Sequence, residues 1–124
     1  MKQWLLKLML STVAVLAPVH SIMIMAGVLL ILDLVTGLWK AVRTKKRITS
    51  SGISRTVTKV IAYNLAIITG FVVETTLVGG LVPVSKIVGS LIALTEATSI
   101  FENLSEITGT DFKSIIKEMF KKKE

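Results

Sequence analysis

The residues of this chain with chemistry to do are charges set inside apolar sequence. Asp33 is the single charge between residues 8 and 39, Glu74 between 60 and 85, and Glu96 between 87 and 101. A carboxylate in such a setting is costly unless a cation, a neighbouring subunit, water or a proton meets it. Antiparallel helix geometry suggests partners. About a turn near residues 80–81, Glu74 faces Lys86. About a loop near residue 46, Asp33 faces Lys59 or Arg55. The alternative for Lys86 and Lys59 is snorkelling to the nearest interface. Glu96 finds no cation this way, so a neighbouring subunit, lumen water or protonation is expected. Glu102 is a further acid near the end of the same segment.

Nothing points to catalysis. The one histidine, His20, follows Pro18 closely at an expected membrane boundary, and there is no cysteine. No glycine-rich phosphate loop and no metal-ligand spacing occurs. The expectation is no enzyme, no cofactor and no metal. Nucleic acid is disfavoured too, since the basic region has only Trp39 as an aromatic neighbour.

The elements that carry these charges follow from length and hydropathy. A chain of 124 residues allows one domain. Its mean hydropathy of +0.72 is more than so small a soluble interior can hide. A spanning helix needs roughly 20 apolar residues. Segments 21–39, 60–78 and 84–104 qualify, and they are too long and too continuous for barrel strands. The fold class is therefore an all-α integral membrane protein with three transmembrane helices. The N-terminal segment 1–20 is expected to be an interfacial helix, or an extension of the first span kinked at Pro18. A hairpin there would make a fourth span, and a secretory leader is the remaining alternative.

Between the spans, segment 40–59 is expected to be a basic loop. It carries Lys40, Arg43, Lys45, Lys46, Arg47, Arg55 and Lys59 with no acid, and Thr49-Ser50-Ser51-Gly52 as a loop signal. Gly79 to Pro83 forms the second connection. The positive-inside rule puts the basic loop and the lysine-rich C-terminus on the cytoplasmic side, separated by two spans. In the tail, 110–124, Thr110 is the expected N-cap with Asp111 in the first turn. Phe112, Ile115, Ile116, Met119 and Phe120 share one face, as an amphipathic helix on an anionic lipid surface requires.

Small residues form stripes, at Ala62, Ala66 and Gly70 and at Gly89, Ala93 and Ala97. Such stripes let helices approach closely in lipid, within a subunit first and between subunits second. Asp33, Thr36, Gly37 and Lys40 also share a face, and Ala41 follows. That face is expected to meet another helix, with an ordinary polar helix end as the plainer alternative.

Asp33-Leu34-Val35-Thr36-Gly37-Leu38-Trp39-Lys40-Ala41 resembles the Asp-x-x-Thr-Gly-x-x-Lys-Ala signature of a phage holin family that includes proteins linked to toxin secretion. Ser99-Ile100-Phe101-Glu102-Asn103 is similar to a second run of that family. The chain departs from it at Arg55-Thr56-Val57-Thr58, where a glycine is common. The resemblance implies a phage or prophage homo-oligomer that permeabilises the host cytoplasmic membrane to release a cell-wall hydrolase or an exported toxin, with a phage endolysin as functional partner. A small channel or transporter subunit and a non-permeabilising scaffold are the rival classes.

Overall fold

The computed structural model describes residues 2–122. Five helices follow one another: α1 (Gln3–Leu16), α2 (His20–Arg43), α3 (Ser50–Thr76), α4 (Val84–Thr108) and α5 (Phe112–Lys121). A 3-10 turn, Ala17–Val19, joins α1 to α2. Pro18 lies within that turn, where its missing N–H and fixed φ are tolerated. The chain does not reverse there, so α1 and α2 form one helical run from Gln3 to Arg43 and the hairpin of a fourth span is not formed. At 1.5 Å per residue the run is about 60 Å long, roughly twice the hydrocarbon thickness of a bilayer.

Helices α2, α3 and α4 make the bundle. α3 runs antiparallel to the other two, and the most extensive contact is between α2 and α4. The inward residues of α4 are Ser85, Gly89, Ile92, Glu96, Ser99 and Asn103, in alternating steps of four and three. On α2 the same rhythm selects Ala26, Leu30, Asp33, Gly37 and Lys40. This 3.5-residue repeat is the seam of left-handed helix packing.

The bundle is apolar outside and carries its buried charges inside. Leu94 is 66% exposed while Glu96, two residues on, is 0% exposed. Ile24, Ile31, Ile61, Leu65, Leu91 and many like them face outward. Water would not tolerate that surface, and lipid favours it. Outward hydroxyls are satisfied within their own helices: Thr69 Oγ1 donates to Leu65 O at 2.7 Å, and Thr98 Oγ1 to Leu94 O at 2.7 Å. A hydrocarbon surroundings demands such internal bonding. Three helical runs are long and apolar enough to cross a membrane among the described residues.

Inside, the bundle is layered. Toward the α3–α4 turn, Val19, Ala26, Ile67 and Ile92 are buried, with Ile22, Met23, Phe71 and Val88 packed on them. Small residues make this contact possible. A Cβ added to Gly89 would stand 2.7 Å from Ile22 Cγ2, and one added to Gly70 would stand 3.3 Å from Val88 Cγ2. Toward the α2–α3 connection the interior turns polar.

The connections differ from the sequence expectation. Segment 40–59 is mostly helix: α2 continues to Arg43, and α3 begins at Ser50. Lys40 and Arg43 occupy the last turn of α2, where cations complement the carbonyl end. The Thr-Ser-Ser-Gly cluster starts a helix, as hydroxyl residues at an N-terminus do. Residues 44–49 alone connect the two helices. At the other connection Gly79 and Gly80 take φ of +58° and +78°, which side chains disfavour.

The N-cap of α5 is Asp111 and not Thr110. Asp111 Oδ1 accepts from Ser114 N at 3.2 Å, and Oδ2 accepts from Ser114 Oγ at 2.6 Å. Carboxylates exceed hydroxyls here because they also complement the helix dipole. These bonds hold the Asp111 carboxyl below its ordinary value.

Two outcomes follow from this packing. Gly89→Ala drives a methyl into Ile22 and should lower stability by about 1–3 kcal/mol, with partial recovery on adding Ile22→Ala. Thermal unfolding in detergent reads both, and an unchanged midpoint would deny the close approach. At the tail, the lowered carboxyl keeps its stabilising effect above the ordinary value near 3.8 and loses it as pH falls through the folded value. Acid, or Asp111→Ala at neutral pH, should therefore lower the amide protection factor, the exchange rate of the unstructured chain over that observed at the same pH, in the first turn of α5 and leave that of α4 unchanged.

Candidate functional site

Midway along the bundle, α2, α3 and α4 each contribute to one polar cluster. Lys59 of α3 sits between two carboxylates. Its Nζ lies 3.3 Å from Asp33 Oδ2 of α2 and 3.1 Å from Glu96 Oε1 of α4. Tyr63, one turn beyond Lys59, donates its hydroxyl to Glu96 Oε1 at 2.5 Å. Ser99 Oγ donates to Asp33 Oδ1 at 2.6 Å. Asn103 Nδ2 donates to the same oxygen at 3.2 Å and to Thr36 Oγ1 at 3.0 Å. Thr36 in turn donates to Leu32 O at 2.8 Å. No buried side-chain nitrogen or oxygen lacks a partner among the described residues.

Each helix can supply its part because the seam repeats every three to four residues. Asp33, Thr36, Gly37 and Lys40 all point from α2 toward α4. Gly37 faces Asn103, whose Nδ2 would stand 3.7 Å from an added Cβ, an ordinary contact. Lys40 Nζ is 3.9 Å from Glu106 Oε2, a loose and half-exposed pair. Glu96 is completely buried, and both it and Asp33 need the single cation. Formally, two ionised carboxylates and one ammonium leave a charge of −1. Low dielectric makes such a cluster strong when complete and costly when broken.

Above the cluster, an open cavity of about 310 Å³ leads to the α2–α3 connection. Asp33, Lys59, Ser99 and Asn103 form its floor, and Lys40, Arg47 and Arg55 stand around it with Ala41 in the α2 wall. From the end of α2, Asp33 is roughly 15 Å deep.

Several sequence expectations change. Glu96 has partners in its own subunit, Lys59 and Tyr63. The hairpin count about residues 80–81 sets Glu96 across from roughly residue 65; Tyr63 lies within a turn of that point, and Lys59 reaches Glu96 from one turn further along α3. Of the two cations offered to Asp33, Lys59 is the partner and Arg55 is not. Glu74 does not pair with Lys86. Its Oε1 accepts from Ser85 N at 3.2 Å and Ser85 Oγ at 3.1 Å. It thereby satisfies the open N-terminus of α4 and complements its dipole. Lys86, one residue on, is turned outward and exposed.

The small-residue stripes divide. Gly70 and Gly89 are buried in helix contacts, and Ala93 and Ala97 are half-buried. Ala62 and Ala66 are exposed, because Lys59, Tyr63 and Ile67 take the inner face of α3. Glu102 lies on the outer side of α4, in a groove shared with Lys113 and Lys117 of α5. Arg43, Lys45 and Lys46 are exposed around the connection. On α5, Phe112 and Ile116 turn partly toward α4, and the Phe112 ring centroid is 6.2 Å from that of Phe101. Ile115, Met119 and Phe120 are exposed.

Sequence reasoning did not assign roles to Tyr63, Ser99 or Asn103 in the cluster. A signal existed. Tyr63 is four residues from Lys59, and Ser99 and Asn103 are three and seven from Glu96, so each shares a face with a charge.

An interior built of paired charges within an apolar shell fits a membrane protein, and the whole chain decides which. Residues 11–123 match the profile of the bacteriophage holin family. The chain belongs to that family. Membership makes this holin a non-enzymatic membrane protein and implies a membrane-permeabilising role. Neither the curated proteins nor the solved structures compared with it gave a match. The Asp33-to-Ala41 motif and the Ser99-to-Asn103 run both lie within the matched residues, and in this holin they are the two sides of the α2–α4 contact.

Removing the shared cation tests the cluster. Lys59→Met should cost about 3–5 kcal/mol, since it strands two carboxylates. Adding Asp33→Asn and Glu96→Gln should recover much of that loss. Thermal midpoints in detergent measure it; an unaltered Lys59→Met midpoint would show the pairing to be idle.

Proposed function

We propose that this holin accumulates in the host cytoplasmic membrane and assembles into homo-oligomeric lesions that let a cell-wall hydrolase reach its substrate. The supporting observation is the inverted subunit: apolar outside, with its charges on the inner seam of α2, α3 and α4. One such bundle is a closed object with no passage for a protein. Passage then requires many copies, and polar surface to face the water between them. The inner seam is the polar surface each copy has to offer. Parting the helices would move Asp33, Lys59 and Glu96 from mutual contact to a wetted wall, where water replaces the lost partners.

The same reading sets orientation. Positive-inside bias puts the α2–α3 connection and the C-terminus in the cytoplasm, with α5 lying on anionic lipid. The functional partner is a phage endolysin, or a toxin where the host uses the system for export. A falling potential assists assembly, since moving one charge across the membrane is worth about 2.3 kcal/mol per 100 mV.

Inducible expression in a bacterium tests this reading. The expected result is abrupt growth arrest with escape of a co-expressed cytoplasmic hydrolase. The Asp33→Ala/Glu96→Ala variant should shift the moment of arrest. Flux of one ion or solute without protein escape would instead identify a selective channel. Intact barrier function would identify a scaffold.

A further inference from the structure

The cavity above the ion cluster has a feature that lesion formation does not use. Four cations line it: Lys40, Arg47, Arg55 and Lys59. Lys59 is committed to Asp33 and Glu96, and Lys40 leans loosely on Glu106. Arg47 and Arg55 have no carboxylate within 4 Å among the described residues. Two arginines with no ion-pair partner among the described residues therefore line one cavity. The single acid of the lining, Asp33, is at the floor and already holds Lys59, Ser99 and Asn103. The rim is left net positive.

We propose that this cavity binds a phosphate group, held at its rim by Arg47 and Arg55 with Lys40 in support. The guanidinium fork matches phosphate oxygens bidentately. At about 310 Å³ the cavity admits a headgroup and excludes a folded acidic protein. Leu34, Leu38, Ile48 and Ile53 supply an apolar wall beside the cations. That mixture suits the phosphate of an anionic phospholipid, with its glycerol and first methylenes along the wall, better than a free ion. The position agrees: the cavity opens at the ends of α2 and α3, at the depth of a bilayer's headgroups, where basic pockets between spans take such lipids. The site stands whether or not the chain opens lesions.

The test uses the full chain in neutral detergent and measures binding of added phosphatidylglycerol by native mass spectrometry. Arg47→Gln/Arg55→Gln should weaken binding about tenfold or more. Lys2→Gln/Lys7→Gln removes the same charge from the N-terminal end, away from the cavity and the tail, and should stay within about twofold of the parent. Arg47→Lys/Arg55→Lys keeps charge and fold but loses the forks, and should fall between. Inorganic phosphate as competitor separates the sources: failure to displace the lipid assigns a lipid site, and displacement assigns free phosphate to the same rim. Equal weakening by the cavity and N-terminal variants would overturn the site in favour of diffuse attraction. Unchanged binding in Arg47→Gln/Arg55→Gln would overturn it outright.

Discussion

One ammonium group shared by two buried carboxylates governs the interior of this protein. Lys59 is the sole cation that touches both Asp33 and Glu96 among the described residues, and those three residues come from three different helices. Lipid offers no hydrophobic force to hold helices together, because the outside is as apolar as any core. Shape and polar contact must do it. The close approaches at Gly70 and Gly89 provide shape toward one end of the bundle, and the ion cluster provides polar contact midway along it. Glu74 adds a third tie by closing the start of α4. The same charges that hold the bundle are those an aqueous lumen would stabilise equally well. The subunit is thus held by interactions that have an alternative partner.

Much of this was legible in the sequence. Uncharged runs gave the spans, and the motif from Asp33 to Ala41 gave a helix face that the structure turns toward α4. The Asp33–Lys59 contact followed from simple hairpin geometry. What was not legible has a common cause. Register between α3 and α4 depends on the length and shape of a glycine turn, with Gly79 and Gly80 in left-handed conformations, and composition does not set that. An error of one residue moves a side chain about 100° around a helix. That is why Glu74 meets Ser85 and not Lys86. The start of α3 was obscured for another reason. Serine, threonine and glycine mark both loops and helix beginnings, and only the following periodicity separates them. The outward Ala62 and Ala66 carry the same lesson, since a small-residue stripe is silent about which face Tyr63 and Ile67 will claim.

α1 stands apart from the bundle. None of its residues is buried, and Trp4, Leu6, Leu10 and Val13 project on all sides. Continuous with α2, it extends the first helical run from 24 residues to 41, which then exceeds what a bilayer can cover without tilt or a bend at Pro18. The lipid around each subunit must therefore accommodate an arm that the bundle itself does not shelter.

The layering of the interior also shapes how voltage acts. Solvent that follows the cavity down to Lys59 carries the conducting medium roughly halfway through the bundle. What insulates beyond it is the layer of Val19, Ala26, Ile67 and Ile92. Water filling the cavity to that depth would leave the membrane potential to fall mainly across that layer. The ion cluster borders it. The apolar part of each bundle is thus shorter than the bundle itself.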